Sequence, residues 1–298
     1  TEKVLFKFPT LQTASLSNGA KVVLAQRTGV PLVELNFQFS FGYAQENNDE
    51  LGYTNFMMDM LNEGTKKYSS LQFDEVLDSL GSNLGFGSGL DTSYATVSTL
   101  KANLSETLDL AKEALIYPTF PQKEIDRIRK QTLASIVQEE NRPAAIAYRN
   151  IGKLLYGEDH PYGKPLTGSG ISQTISDITR DNVIAVHKRA INPANLTFAI
   201  AGDIGLDELV EILEDKFGNW SGTTNSNLIA LNNVALPDTR RVYLIDKPNA
   251  QQSYIVAGQL LPPSATDEEI KISYMNYAIG GSFTARPNLN LREDKSWS

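Results

Sequence analysis

Along residues 31–40 apolar and polar positions alternate from Val33 onward. Val33, Leu35, Phe37 and Phe39 fall on one side, and Glu34, Asn36, Gln38 and Ser40 on the other. A period of two predicts a strand with one buried face. Ahead of it, apolar runs at 11–17 and 20–25 flank Ser17-Asn18-Gly19, and Asn-Gly between such runs predicts a hairpin. Gly42 ends the third strand, and a helix is expected from near Gly52. Ser69 with Gln72 makes a capping-box pattern for a helix through Leu80. Residues 94–100 predict a β-branched strand. Residues 104–115 predict an amphipathic helix with Leu104, Leu108, Ala111 and Leu115 on one face, and 124–141 a longer helix closed by Pro143. A helix at 179–190, a strand at 196–201 reaching Gly202-Asp203 and a helix at 206–217 follow. The polar run from Ser221 to Asn227 reads as a linker. Beyond it lie two expected strands, 241–245 and 253–258, and a helix at 267–279. Strands and helices mix without a regular βαβ alternation, which predicts an α+β fold.

Composition narrows the function classes. The 298 residues are 41% apolar and 21% charged, an ordinary globular balance long enough for more than one domain. A net charge of −8 with no basic block argues against nucleic acid and anionic membranes as partners. No run approaches eighteen consecutive apolar residues, so no membrane span is expected. Thr1-Glu2-Lys3 has no signal-peptide character. The absence of cysteine excludes disulfides and thiol catalysis. It leaves the compartment open between a bacterial periplasm, which we favour, and a cytoplasm.

The candidate chemistry lies in Gly52-Tyr53-Thr54-Asn55-Phe56-Met57-Met58-Asp59-Met60-Leu61-Asn62-Glu63-Gly64-Thr65. This stretch resembles the inverzincin motif H-x-x-E-H inside a G-x-x-H-x-x-E-H-M-L-x-x-G-T frame, that of the pitrilysin/insulinase family of zinc metallopeptidases, which includes the mitochondrial processing peptidases. The frame survives as Gly52, Met60, Leu61, Gly64 and Thr65, whereas the first His is replaced by Asn55, the general-base Glu by Met58 and the second His by Asp59. In the motif, two His one turn apart grip one zinc and the Glu takes a proton from bound water. The resemblance places the third ligand, a Glu on a later helix, at Ser135. A neutral amide, a thioether, one carboxylate and a hydroxyl do not replace that set. On periodicity alone Met57, Met58 and Met60 are helix core. No catalytic residue and no metal or other cofactor is therefore expected in this chain, with zinc in a partner half.

The likeness extends along the chain. His160-Pro161-Tyr162-Gly163 resembles the family's H-P-Y-G loop, and Asn195 to Asp203 its N-x-x-x-x-x-x-G-D ending. It implies a pitrilysin-type domain over 1–222, with a mixed, largely antiparallel sheet packed against helices. A linker over 223–236 and the first, incomplete part of a second similar domain over 237–298 would follow. The family builds a half-clam from two such domains, so the chain is expected to stop inside its second. Gly280-Gly281-Ser282-Phe283, running on to Arg292-Glu293, resembles the G-G-x-F-x-S-R-L-x-x-x-L-R-E segment with which a non-catalytic half handles substrate. Arg292 fits the Arg that stabilises the substrate carbonyl, and its companion Tyr would fall at position 299. Pro287 departs from the usual Leu. Without the frame, Arg292 is a solvated Arg paired to a neighbouring Glu, and the Gly pair is a helix C-cap.

His160 and His187 match no metal spacing, and His160 is expected to have a structural loop role. Gly85-Phe86-Gly87-Ser88-Gly89 lacks the Lys-Ser/Thr of a phosphate loop and reads as a Gly-rich strand near the substrate cavity. The expected function is that of a non-catalytic half, pairing as a dimer with a zinc-bearing half, fused or separate, around a peptide or unfolded substrate. The alternative is a proteolytically inactive scaffold. An enzyme using Asp59 with a different metal ranks last.

Overall fold

The hairpin expected around Asn18-Gly19 forms: β1 (Leu11–Ser15) pairs antiparallel with β2 (Lys21–Gln26). The Asn18 side chain donates to the carbonyls of Phe217 and Trp220, 2.9 and 3.0 Å away. The computed structural model describes residues 9–222, 231, 234–235, 239–263 and 266–297. It contains β3 (Leu32–Phe39), β4 (Asn83–Ser88), β5 (Ser93–Leu100) and β6 (Leu196–Gly202). With the hairpin they make one six-stranded sheet in the order β1-β2-β6-β3-β5-β4. Only β2 and β6 run parallel, so the sheet is mixed and largely antiparallel.

The alternation in β3 sets the core face. Val33, Leu35, Phe37 and Phe39 are all buried, and Phe37 lies opposite Phe198 of β6 and Ala95 of β5. Its ring tilts against Phe198 at 5.0 Å and meets Phe217 edge-on at 5.3 Å. Such contacts add to the area they bury.

Helices pack against the sheet and against one another. They are α1 (Tyr53–Asp59), α2 (Ser70–Ser79), α3 (Leu104–Ile116), α4 (Gln122–Glu139), α5 (Pro143–Tyr156), α6 (Ser172–Asp177), α7 (Arg180–Ala190) and α8 (Leu206–Phe217). The Ser69/Gln72 capping box is present with both of its reciprocal bonds, and Thr179 with Asn182 forms a second. Pro143 does not simply close a helix: it sits in the first turn of α5, an element absent from our periodicity reading. Its missing N–H costs nothing there.

By packing, the chain divides into two units, residues 1–233 with 241–256, and 234–240 with 257–298. Residues 241–245 and 253–258 form no strand, contrary to the pattern. No described strand pairs with them, and Val242, Leu244 and Ile255 stay exposed; alternation makes a strand only where a ladder partner exists. The second unit contains α9 (Glu269–Asn276), whose last turn widens into a π-turn over Tyr277–Gly281. The expected linker lies largely outside the described residues.

Candidate functional site

Helix α1 packs on α4, α7 and β4. Met57, Met58 and Met60 are fully buried, so the position of the family's general base points into the core as a thioether. Asn55 and Asp59, one turn apart, instead open onto a cleft of about 360 Å³. Ser135, Gln131, Thr132 and Glu139 of α4 line its far side, Thr167 and Ser169 its rim, and Phe56 and Ile128 its apolar wall. The fold therefore brings Asn55, Asp59 and Ser135 together, as the motif implied.

The cleft is held by bonds that link distant parts of the chain. Asn55 Nδ2 donates to the Gly168 carbonyl at 3.0 Å. Gly52 (φ 92°) and Gly170 (φ 74°) meet back to back. A Cβ on Gly52 would lie 2.8 Å from the Gly170 Cα, and one on Gly170 would collide with the Leu51 carbonyl. Arg149, partly buried, donates to Glu139 Oε2 and Ser169 Oγ at 2.7 Å and to the Gly170 carbonyl at 2.6 Å. Ser169 Oγ also donates to Glu139 Oε2, at 2.7 Å. This network ties α4, α5 and the loop 167–170 to the start of α1. At the other end, Glu63 pairs with Arg127 at 2.5 Å and accepts from Ser70 at 2.9 Å.

The first turn of α1 has no Ser, Thr, Asp or Asn cap. Buried Glu46 supplies the acceptor, taking the N–H of Gly52 at 2.8 Å and of Thr54 at 2.6 Å. Lys164 sends its ammonium to the carbonyls of Tyr43, Ala44 and Glu46. Burial pushes Glu46 up to about 7 against the opposing pull of both N–H donors and Lys164, and burial also pushes Lys164 down. Burial, then the charge of Glu63, raises Asp59 to about 6, although its side chain reaches solvent. The sequence reading missed Glu46, Lys164, Arg149 and Glu139. The one available signal was a helix N-terminus without a local cap.

These residues do not fit a catalytic zinc. Asn55 offers only a neutral amide oxygen, Met58 faces away, Ser135 is a hydroxyl and Asp59 is a single carboxylate. Among the described residues no group of three or more His, Cys, Asp or Glu converges as a metal site. His160 accepts the Tyr162 N–H at 3.0 Å and stacks on Tyr156, and His187 meets the Leu115 carbonyl at 2.9 Å. Both are accounted for as structural residues. No helix among the described residues is long and apolar enough to cross a membrane.

The C-terminal candidates lie in the second unit. Gly280 and Gly281 end the π-turn after α9. Ser282 Oγ is 3.3 Å from Thr284 Oγ1, and Phe283 is exposed. Arg292 lies over the Phe283 ring at 5.0 Å and 3.9 Å from Glu293. The unit thus brings Phe283 and Arg292 together while leaving both open to solvent.

Known proteins resemble this chain in sequence and fold. The profile of the insulinase family (peptidase family M16) matches residues 21–169, and that of the peptidase M16 inactive domain residues 177–298. An uncharacterized zinc protease of Rickettsia felis is 22% identical over 94% of this chain and 66% of its own length. The uncharacterized zinc protease YmxG of Bacillus subtilis is 21% identical over 93% of this chain and 66% of its own. The chain thus spans just under two thirds of these relatives. Among solved structures, a peptidase M16 inactive domain from Pseudomonas fluorescens superposes with a TM-score of 0.80 at 24% identity, covering 96% of this chain and 68% of that one. The first half of the periplasmic protease PqqL from Escherichia coli superposes at 0.64 with 21% identity, covering 78% and 49%. With half of its residues inside the insulinase (peptidase family M16) profile and a following stretch inside that of the peptidase M16 inactive domain, the chain belongs to the insulinase family of peptidases, family M16.

Proposed function

We propose that this chain is the non-catalytic half of a zinc metalloendopeptidase of its family. It pairs with a zinc-bearing half, fused or separate, and the two enclose a peptide or unfolded segment. One observation carries the reading: a cleft is open at the motif helix, yet it is lined by Asn55, Asp59 and Ser135 where the family's reaction needs His, His and Glu. Substrate is held as an added strand on an exposed sheet edge, with main-chain bonds giving loose sequence preference. Gly280, Gly281, Ser282 and Phe283 lie against the substrate, and Arg292 meets its carbonyl. In this reading the domains run 1–222 and 237–298, joined by 223–236. The periplasm is the proposed site of action.

The test is peptidase activity on a generic unfolded peptide, with this chain alone, the zinc-bearing half alone, and the two mixed. Activity only in the mixture is the expected result. A partner equally active alone would refute it and leave the second reading, an inactive scaffold of the same fold. That reading draws on Arg292, which lies over the Phe283 ring and beside Glu293 as a solvated surface Arg does.

A further inference from the structure

The cleft at α1 has lost a metal set without becoming apolar or closing. Its acceptors are unevenly committed. Glu139 is matched in charge by Arg149 at 2.7 Å. Asp59 has no hydrogen bond or ion pair among the described residues, and neither does the Ser135 hydroxyl. Asn55 spends its Nδ2 on Gly168, which leaves its Oδ1 available. Glu139 accepts through Oε2 only, leaving Oε1. The cleft therefore offers several oxygen acceptors and one unbalanced negative charge, beside an apolar wall of Phe56 and Ile128.

We propose that this cleft is a binding site for a primary ammonium group, the α-amine of a peptide or the ε-amine of a lysine. Three N–H donors on one positive centre match a carboxylate with flanking amide and hydroxyl oxygens. A monocation balances Asp59, whereas a divalent ion would leave a surplus positive charge, since Arg149 already neutralises Glu139. The alkyl stem of such a ligand lies along Phe56 and Ile128, as long cationic side chains do on apolar surface. The cleft that would have cut a peptide thus holds one by its amine. This rests on the reading that the cleft faces peptide substrate.

Calorimetry on the full chain tests it with four probes: Gly-Gly-Phe-amide, its Nα-acetyl form, Nα-acetyl-lysine amide, and the same compound acetylated at Nε. At least one free amine binds, and its acetylated counterpart binds at least tenfold more weakly. Binding of the first pair identifies a peptide N-terminus, and binding of the second a lysine. Asp59→Asn lowers the affinity at least tenfold, and Ser135→Ala lowers it several-fold in a chain whose melting is unchanged. The Asn55 side-chain amide resonance shifts on binding. Equal binding of free and acetylated probes overturns the proposal, as does wild-type affinity in Asp59→Asn. In the mixture with a zinc-bearing half, chain-dependent activity that ignores amine acetylation refutes the ammonium site while sparing the pairing. Amine binding with an inactive mixture does the reverse.

Discussion

Glu46 offers the sharpest quantitative test of the structure. It is buried, accepts two N–H groups at the start of α1, and faces Lys164, with Tyr43, Tyr53 and Glu50 near by. Its folded value of about 7 lies above the ordinary 4.5 because burial outweighs its donors. The folded chain therefore holds a proton that the unfolded chain has released, and stability falls as pH rises between those values. At about 1.4 kcal/mol per pH unit, ionising Glu46 in place costs roughly 3 kcal/mol. Glu46→Gln removes the titration and keeps the size and one acceptor. Near pH 4 the two proteins carry equivalent neutral groups and lie close in stability. By pH 8 the wild type has lost roughly 3 kcal/mol relative to the variant. Asp59 titrates in both and cancels in the difference. Urea unfolding of both proteins at intervals from pH 4 to 8.5 measures the gap. A flat gap would show that Glu46 is not displaced. A gap moving in the wild type's favour with rising pH would show that Lys164 and the two N–H donors overcome burial.

Gly170→Ala forces a Cβ into a left-handed backbone and onto the Leu51 carbonyl; a loss of about 2 kcal/mol or more is expected in urea unfolding, and a loss under 0.5 would mean that the loop simply shifts. Arg149→Met strands Glu139 in a poorly solvated network and is expected to cost about 3–5 kcal/mol; a change under 1 kcal/mol would relegate the network to surface decoration. In the assembled peptidase, Arg292→Ala lowers kcat on the order of tenfold or more with little change in KM; unchanged kinetics would remove Arg292 from the mechanism.

What was legible in the sequence was whatever is encoded locally. The alternation from Val33 to Phe39, the Ser69/Gln72 box and the 206–217 helix all name their own structure within a few residues. Pro143 misled because proline ends one helix and starts another with equal ease. Residues 241–245 and 253–258 misled because alternation does not say whether a partner strand is present. At the site, the motif frame located Asn55, Asp59 and Ser135. The frame positions that survive are those the fold itself needs, such as Gly52 against Gly170 and Met60 and Leu61 in the core. Lys164 reaches back to residues 43–46 and Arg149 forward to 169–170, and Glu46 caps α1 from six and eight residues upstream, outside the position where a cap is sought.

The strand order has a consequence for how the chain is made. β2 and β3 follow one another in sequence but never touch, because β6 lies between them. Until Gly202 has left the ribosome, the hairpin β1-β2 and the ladder β3-β5-β4 cannot join, and each presents a bare edge beside half-covered apolar residues. Closing that gap is a long-range event, which slows folding, and unpaired edges are where chains stick to one another. The nascent protein therefore has its most aggregation-prone interval between the synthesis of β5 and that of β6, when a chaperone would matter most.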